Sequence, residues 1–118
     1  MSLEVKNQVI GVSENKIRYL MRSEHGKRHY HIGVWIEGSD EELDRIDRVE
    51  YLLHSTFKRP RRQSSNRLNK FGITFWTWGM FNIQIEIFFK DGTEDRFVYY
   101  LTFALPEDDG SNYVRVEK

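Results

Sequence analysis

No cysteine occurs anywhere in the chain, so disulfides, thiolate metal ligands and a thiol nucleophile are all excluded. That absence fits a reducing interior, and an intracellular, cytoplasmic location is expected (nuclear for a eukaryotic source). Proline is almost missing too, with two in 118 residues, and no proline-rich or low-complexity linker divides the sequence. No apolar run approaches the roughly 20 residues that cross a bilayer, so no membrane partner is expected. The opening MSLEVKNQ has no basic start followed by an apolar stretch, and no secretory signal is read there. Net charge is also absent: 18 Lys and Arg balance 18 Asp and Glu, which makes a nucleic-acid coat a poor reading.

Catalytic signatures are missing as well. The sequence has no Gly-x-Ser-x-Gly elbow, no phosphate-cradling glycine loop and no His-Glu-x-x-His pattern. His54 stands beside Ser55 and Thr56, yet neighbouring strand residues face opposite ways and no third orienting group is evident. His29 and His31 share a strand face without a third ligand at metal spacing. No catalytic residue, metal or cofactor is assigned, and a binding module is expected rather than an enzyme.

What is present is strand pattern. Aromatic residues make up 14% of the chain, a bias towards strands. Phe81, Ile83, Ile85, Ile87 and Phe89 alternate with Asn82, Gln84, Glu86 and Lys90, and only Phe88 breaks the rule. Asp91-Gly92 then suits a hairpin, with Phe97, Tyr99, Leu101 and Phe103 on one side of the returning strand. Tyr30 to Ile36 alternates up to Gly38, and Val49 to Phe57 up to Pro60. Ser39 followed by Glu42 is a capping-box pattern for one short helical turn near residues 40–46. Phe71, Ile73 and Phe75 mark another strand. Gln8 to Val12 and Lys16 to Arg22 suggest a first hairpin around Ser13-Glu14-Asn15, and Tyr113, Val114 and Val116 a short edge strand after the acidic stretch from Pro106. The expectation is one all-β domain over residues 1–118, an immunoglobulin-like sandwich of about seven or eight antiparallel strands.

Charge is balanced but unevenly placed. Lys58, Arg59, Arg61, Arg62, Arg67 and Lys70 fall in one stretch with no acid, and an acidic group from Glu37 to Asp47 precedes it. The basic stretch reads as a solvated connection that steers an acidic partner or contacts phosphates.

Two segments stand out: Val49-Glu50-Tyr51-Leu52-Leu53-His54-Ser55-Thr56-Phe57-Lys58-Arg59-Pro60, and Thr77-Trp78-Gly79-Met80-Phe81 leading into the alternating strand and a Lys-Asp-Gly turn. Together with HIGVWIEG ahead of them they resemble the YEATS domain family, over about residues 30 to 104 and closer to its bacterial branch. The resemblance implies an immunoglobulin-like reader of acetyl-, crotonyl- or similar lysine. By position, Thr56 matches the hydroxyl that bonds the acyl amide. Phe57 and Trp78 match the aromatics that sandwich the acyl group, and His54 and Phe81 match the remaining wall. The Trp78 backbone N–H matches the donor to the acyl carbonyl. Gly79 lets backbone approach closely. Thr77 stands where chromatin-associated members carry glycine, and His29 or Tyr30 stands where they carry a loop aromatic. The expected partner is an acylated-lysine peptide or an acidic protein. The alternative is an adaptor or scaffold domain of a signalling or defence system that keeps the sandwich without the acyl pocket.

Overall fold

The computed structural model describes residues 3–10, 16–22, 27–105, 107 and 109–116. Among them run the strands β1 (Glu4–Val9), β2 (Ile17–Arg22), β3 (Lys27–Glu37), β4 (Ile46–Leu52), β5 (Arg61–Ser64), β6 (Ile73–Thr77), β7 (Phe81–Phe89), β8 (Glu94–Leu101) and β9 (Tyr113–Arg115). One helical turn, α1 (Asp40–Asp44), joins β3 to β4. The capping box read from sequence forms: the Ser39 hydroxyl accepts from the Glu42 N–H, and the Glu42 carboxylate accepts from the Ser39 N–H.

Two sheets face each other. In the first, β3 is the spine. β6 pairs along Tyr30 to Val34, while β1 takes Ile32 to Glu37 and β2 takes Lys27 to Tyr30. The overlap of these registers puts β1 and β2 on one edge of β3 and β6 on the other. β9 extends this sheet as a parallel neighbour of β2. The second sheet runs β5-β4-β7-β8, all antiparallel. Alternation decides which residues meet between the sheets: Ile32, Val34 and Ile36 from β3, Val49 and Tyr51 from β4, and Ile83, Ile85 and Ile87 from β7. All are essentially inaccessible, and each buried aliphatic side chain contributes about 1.5–3 kcal/mol.

Several expectations need correcting. The alternating run that begins at Val49 stops as a strand at Leu52 rather than continuing towards Pro60. The chain turns there, with the Phe57 N–H donating to the His54 carbonyl at 3.0 Å and Leu53 N–H to the Pro60 carbonyl at 2.7 Å. His54, Ser55 and Thr56 therefore sit in a turn, where strand parity does not apply. Inside the basic stretch, Arg61–Ser64 pairs with β4, and Ser64 is buried. A short edge strand of polar residues carries no hydrophobic alternation, so nothing in its sequence marks it as one. β1 and β2 do not form a hairpin together, because both pair with β3. The proposed turn Ser13-Glu14-Asn15 lies outside the described residues, as does Pro106. Phe88, the break in alternation, lies on the outer face with the Arg48 guanidinium 3.9 Å above its ring.

One buried polar contact ties the chain just after the basic stretch to the core. The Tyr51 hydroxyl donates to the Phe71 carbonyl at 2.6 Å. Phe71 follows Lys70, and both have positive φ, 57° and 58°. This unfavourable backbone for side-chain-bearing residues is held on one side by the Tyr51 contact and on the other by the Phe71 N–H bond to the Asn66 carbonyl. Burial pushes the Tyr51 phenol well above its ordinary range. Tyr51→Phe leaves a buried carbonyl short of a donor, an expected loss of about 1–3 kcal/mol in urea unfolding. A group whose folded pKa is raised stabilises fully below its unfolded pKa. Stability of the parent is therefore expected to fall as pH rises beyond about 10, and more steeply than in Tyr51→Phe.

Candidate functional site

Both segments singled out from the sequence reach the same end of the sandwich. The turn at 53–57 leaves the end of β4 in the second sheet. The turn at Trp78-Gly79-Met80 carries the chain from β6 in the first sheet to β7 in the second. Between them opens a groove of about 740 Å³, and His54, Thr56, Phe57, Thr77, Trp78, Gly79 and Phe81 all line it.

Aromatic packing builds its base. Phe57 meets Phe75 edge-on at 5.7 Å between centroids and Phe81 tilted at 5.4 Å, while Phe75 and Phe81 lie 5.9 Å apart. Such pairs add about 0.5–1.5 kcal/mol each beyond buried area. The three rings come from both sheets, so they close the end of the core as well as forming the groove's apolar wall. Phe81 thus packs against the core and lines the groove at once. Phe75 was not among the expected site residues. Its parity with Ile73 marks it as core, and only its position at the open end makes it groove-lining.

His54 and Thr56 supply the polar side. The Thr56 N–H donates to His54 Nδ1 at 3.2 Å, and the Thr56 hydroxyl lies 2.9 Å from the same nitrogen. A backbone N–H can only donate, so Nδ1 presents its lone pair and the ring proton sits on Nε2. The hydroxyl then donates to Nδ1 as well, which turns its oxygen lone pairs outwards to accept an N–H. The His54 ring also contacts Phe81 edge-on, at 6.5 Å.

Across the groove Trp78 is 49% exposed, and Lys27 Nζ sits 4.0 Å from the centre of its indole. Lys27 was not singled out from sequence, since one cation at a strand start gives no signal. Trp78 and Phe57 both line the groove, and among the described residues no ring contact joins them. Thr77 is buried, and its hydroxyl serves the turn by donating to the Gly79 carbonyl at 3.1 Å and accepting from the Gly79 N–H at 3.3 Å. A Cβ at Gly79 would meet nothing within 4 Å, and its φ lies outside the left-handed region. Neither packing nor conformation requires glycine there. On the outer face of β3, His31 stacks on Trp76 at 4.6 Å and 6°.

The stretch that carries both turns of the groove matches one family. A model of the prokaryotic YEATS domain covers residues 30–102. The chain is a member of that family. Transcription initiation factor TFIID subunit 14 of Schizosaccharomyces pombe is 40% identical over 68 residues, which are 57% of this chain but only 27% of that protein. The YEATS match thus spans about a quarter of that curated relative. Among solved structures, yeast AF-9 homolog protein Yaf9 aligns over 85% of this chain and 67% of its own with a TM-score of 0.59. The Yaf9 YEATS domain bound to H3K27ac aligns over 92% and 72%, with a TM-score of 0.57. A further Yaf9 structure, recognizing an H3K122suc peptide, also gives 0.57, over 83% and 67%. Identity is 21% in all three, so they speak to the shared YEATS fold.

The basic stretch divides in two within this YEATS domain. Arg67 bonds Asp40 and Asp44, both at 3.0 Å; Lys70 bonds Glu37 at 2.9 Å; Arg61 bonds Glu50 at 3.0 Å. Hydrogen bonds from Lys70 and then Trp35 hold the Glu37 carboxyl below its usual range. Lys58 and Arg62 instead line the groove. The hydrogen-bond pattern at His54 is directly measurable. Long-range proton–nitrogen NMR correlation is expected to find neutral His54 as the Nε2–H tautomer, and protonation at Nδ1 would contradict the acceptor role assigned to Thr56.

Proposed function

We propose that this YEATS domain binds an acylated lysine, acetyl or crotonyl, or a similar planar amide, in the groove between Thr56 and Trp78. The observation that carries the proposal is the coincidence of three features within one cleft: an outward hydroxyl acceptor, two separated aromatic walls, and a glycine turn with vacant space above it. An amide inserted there finds an acceptor for its N–H and backbone N–H groups of the turn for its carbonyl. Its flat apolar faces lie against Phe57 and Trp78. A free lysine brings a positive charge to a groove whose lining, among the described residues, contains no carboxylate, and it is rejected for want of a counter-ion. Yaf9 structures bound to H3K27ac and recognizing H3K122suc support the class of ligand.

A second reading, an adaptor domain, draws support from Val98 and Tyr100. They are 61% and 58% exposed on the outer face of the β7–β8 pair, opposite Gln84 and Asn82 and on the other side of the sheet from groove-lining Phe81. An adaptor would use such a surface irrespective of acylation.

Calorimetric titration with acetyl-, crotonyl- and unmodified-lysine peptides separates the two. Acyl peptides are expected to bind at least about tenfold more tightly than the unmodified one, a difference of about 1.4 kcal/mol. Trp78→Ala is expected to erase that difference. Gly79→Ala is expected to weaken acyl binding while leaving thermal stability unchanged, because its methyl group meets only empty space. Equal binding of modified and unmodified peptides by the parent would sink the proposal.

A further inference from the structure

The cations of this neutral chain are sorted. Of the six in the basic stretch, Arg61, Arg67 and Lys70 are each closed by a carboxylate on the body of the domain. Among the described residues Lys58, Arg59 and Arg62 have no acidic partner; two of them lie at the groove, with Arg59 beside Arg62. Lys58 and Arg62 line it, and the Arg62 Nε–H donates to the Arg59 carbonyl. Lys27, over the Trp78 indole, adds a fourth cation at the opposite wall. Among the described residues no Asp or Glu belongs to the groove lining. Burial, and after it the Arg59 charge, works against the charged form of Arg62. An anion at this wall offsets the Arg59 repulsion.

The groove also has a direction. Thr74, Phe75, Trp76 and Thr77 line it consecutively, followed by Trp78 and Gly79. Successive strand residues point to opposite faces, so the groove takes in the free edge of β6 as well as the outer face that Trp76 shares with His29 and His31 of β3. Among the described residues β6 pairs with β3 alone. An extended segment laid there adds its own backbone hydrogen bonds to β6 and faces Arg62 and Lys58 across the gap.

We propose that the groove takes an extended acidic segment of a partner protein, its carboxylate side chains flanking the acylated lysine and meeting Lys58, Arg59 and Arg62. The inference rests on the acyl-lysine reading and adds the sequence context of the ligand. A flank rich in lysine and arginine is disfavoured by like-charge repulsion, so transfer of a basic-tail ligand from other proteins is not expected.

The test uses the full chain and one peptide frame with a central lysine, acetylated or unmodified, between flanks of Asp and Glu, of Ser and Gly, or of Lys and Arg. Acetylated peptides are expected to rank acidic, neutral, basic, with about tenfold or more between the extremes. The ranking is expected to flatten in 1 M salt, where screening acts over about 3 Å. Lys58→Glu with Arg62→Glu is expected to reverse the order, and Lys58→Gln with Arg62→Gln to level it; circular dichroism confirms that both variants fold. Acetyl dependence without flank dependence, or a preference for basic flanks, overturns the inference while leaving the acyl-lysine reading intact. So does a neutral-flank succinyl-lysine peptide that gains the full advantage while flanks have no effect, because the carboxylate then belongs to the acyl chain. Flank dependence without acetyl dependence overturns the acyl-lysine reading and supports the acidic groove.

Discussion

Everything at the functional end depends on three rings held together. Phe57 arrives on the turn after β4, Phe75 on β6 and Phe81 at the start of β7, and their mutual contacts at 5.4–5.9 Å join the two sheets where the sandwich opens. Because the rings fill the end of the core, the backbone on either side cannot collapse inwards. The His54–Thr56 pair and the Trp78 turn are left standing on opposite rims. The groove is thus a consequence of how the core is capped.

The rims are then fixed by local hydrogen bonds of different kinds. On one side a histidine nitrogen gathers both the N–H and the hydroxyl of Thr56. On the other the Thr77 hydroxyl fastens Gly79 from within the turn. Each arrangement satisfies its own polar atoms and presents something new outwards: an oxygen acceptor on one rim and an exposed indole beside a bare backbone on the other. Among the described residues no buried side-chain polar atom lacks a partner.

Legibility from sequence followed the strength of the physical signal. The β7–β8 hairpin was plain because a one-sided strand must alternate and Asp91-Gly92 suits positive φ, found at 90° for Gly92. The seven candidate residues were picked out by motif wording, and all seven line one groove, although His54 and Thr56 come from a turn and not from a strand end. β5 was hidden because Arg61, Arg62 and Gln63 carry no apolar period. The pairing of β1 with β3 was hidden because register across thirty residues is a tertiary fact. Charge placement was half legible: the basic and acidic stretches are obvious in the sequence, but which cations neutralise which acids is decided by the fold.

The central claim is that the two rims act together on one small amide. Titrating an acetyl-lysine peptide into the nitrogen-15-labelled chain tests it most directly. The account predicts chemical-shift changes concentrated on the amides of Thr56, Phe57, Trp78 and Gly79 and on the Trp78 indole N–H. Shifts confined to the outer face around Val98 and Tyr100, with both rims silent, would contradict it.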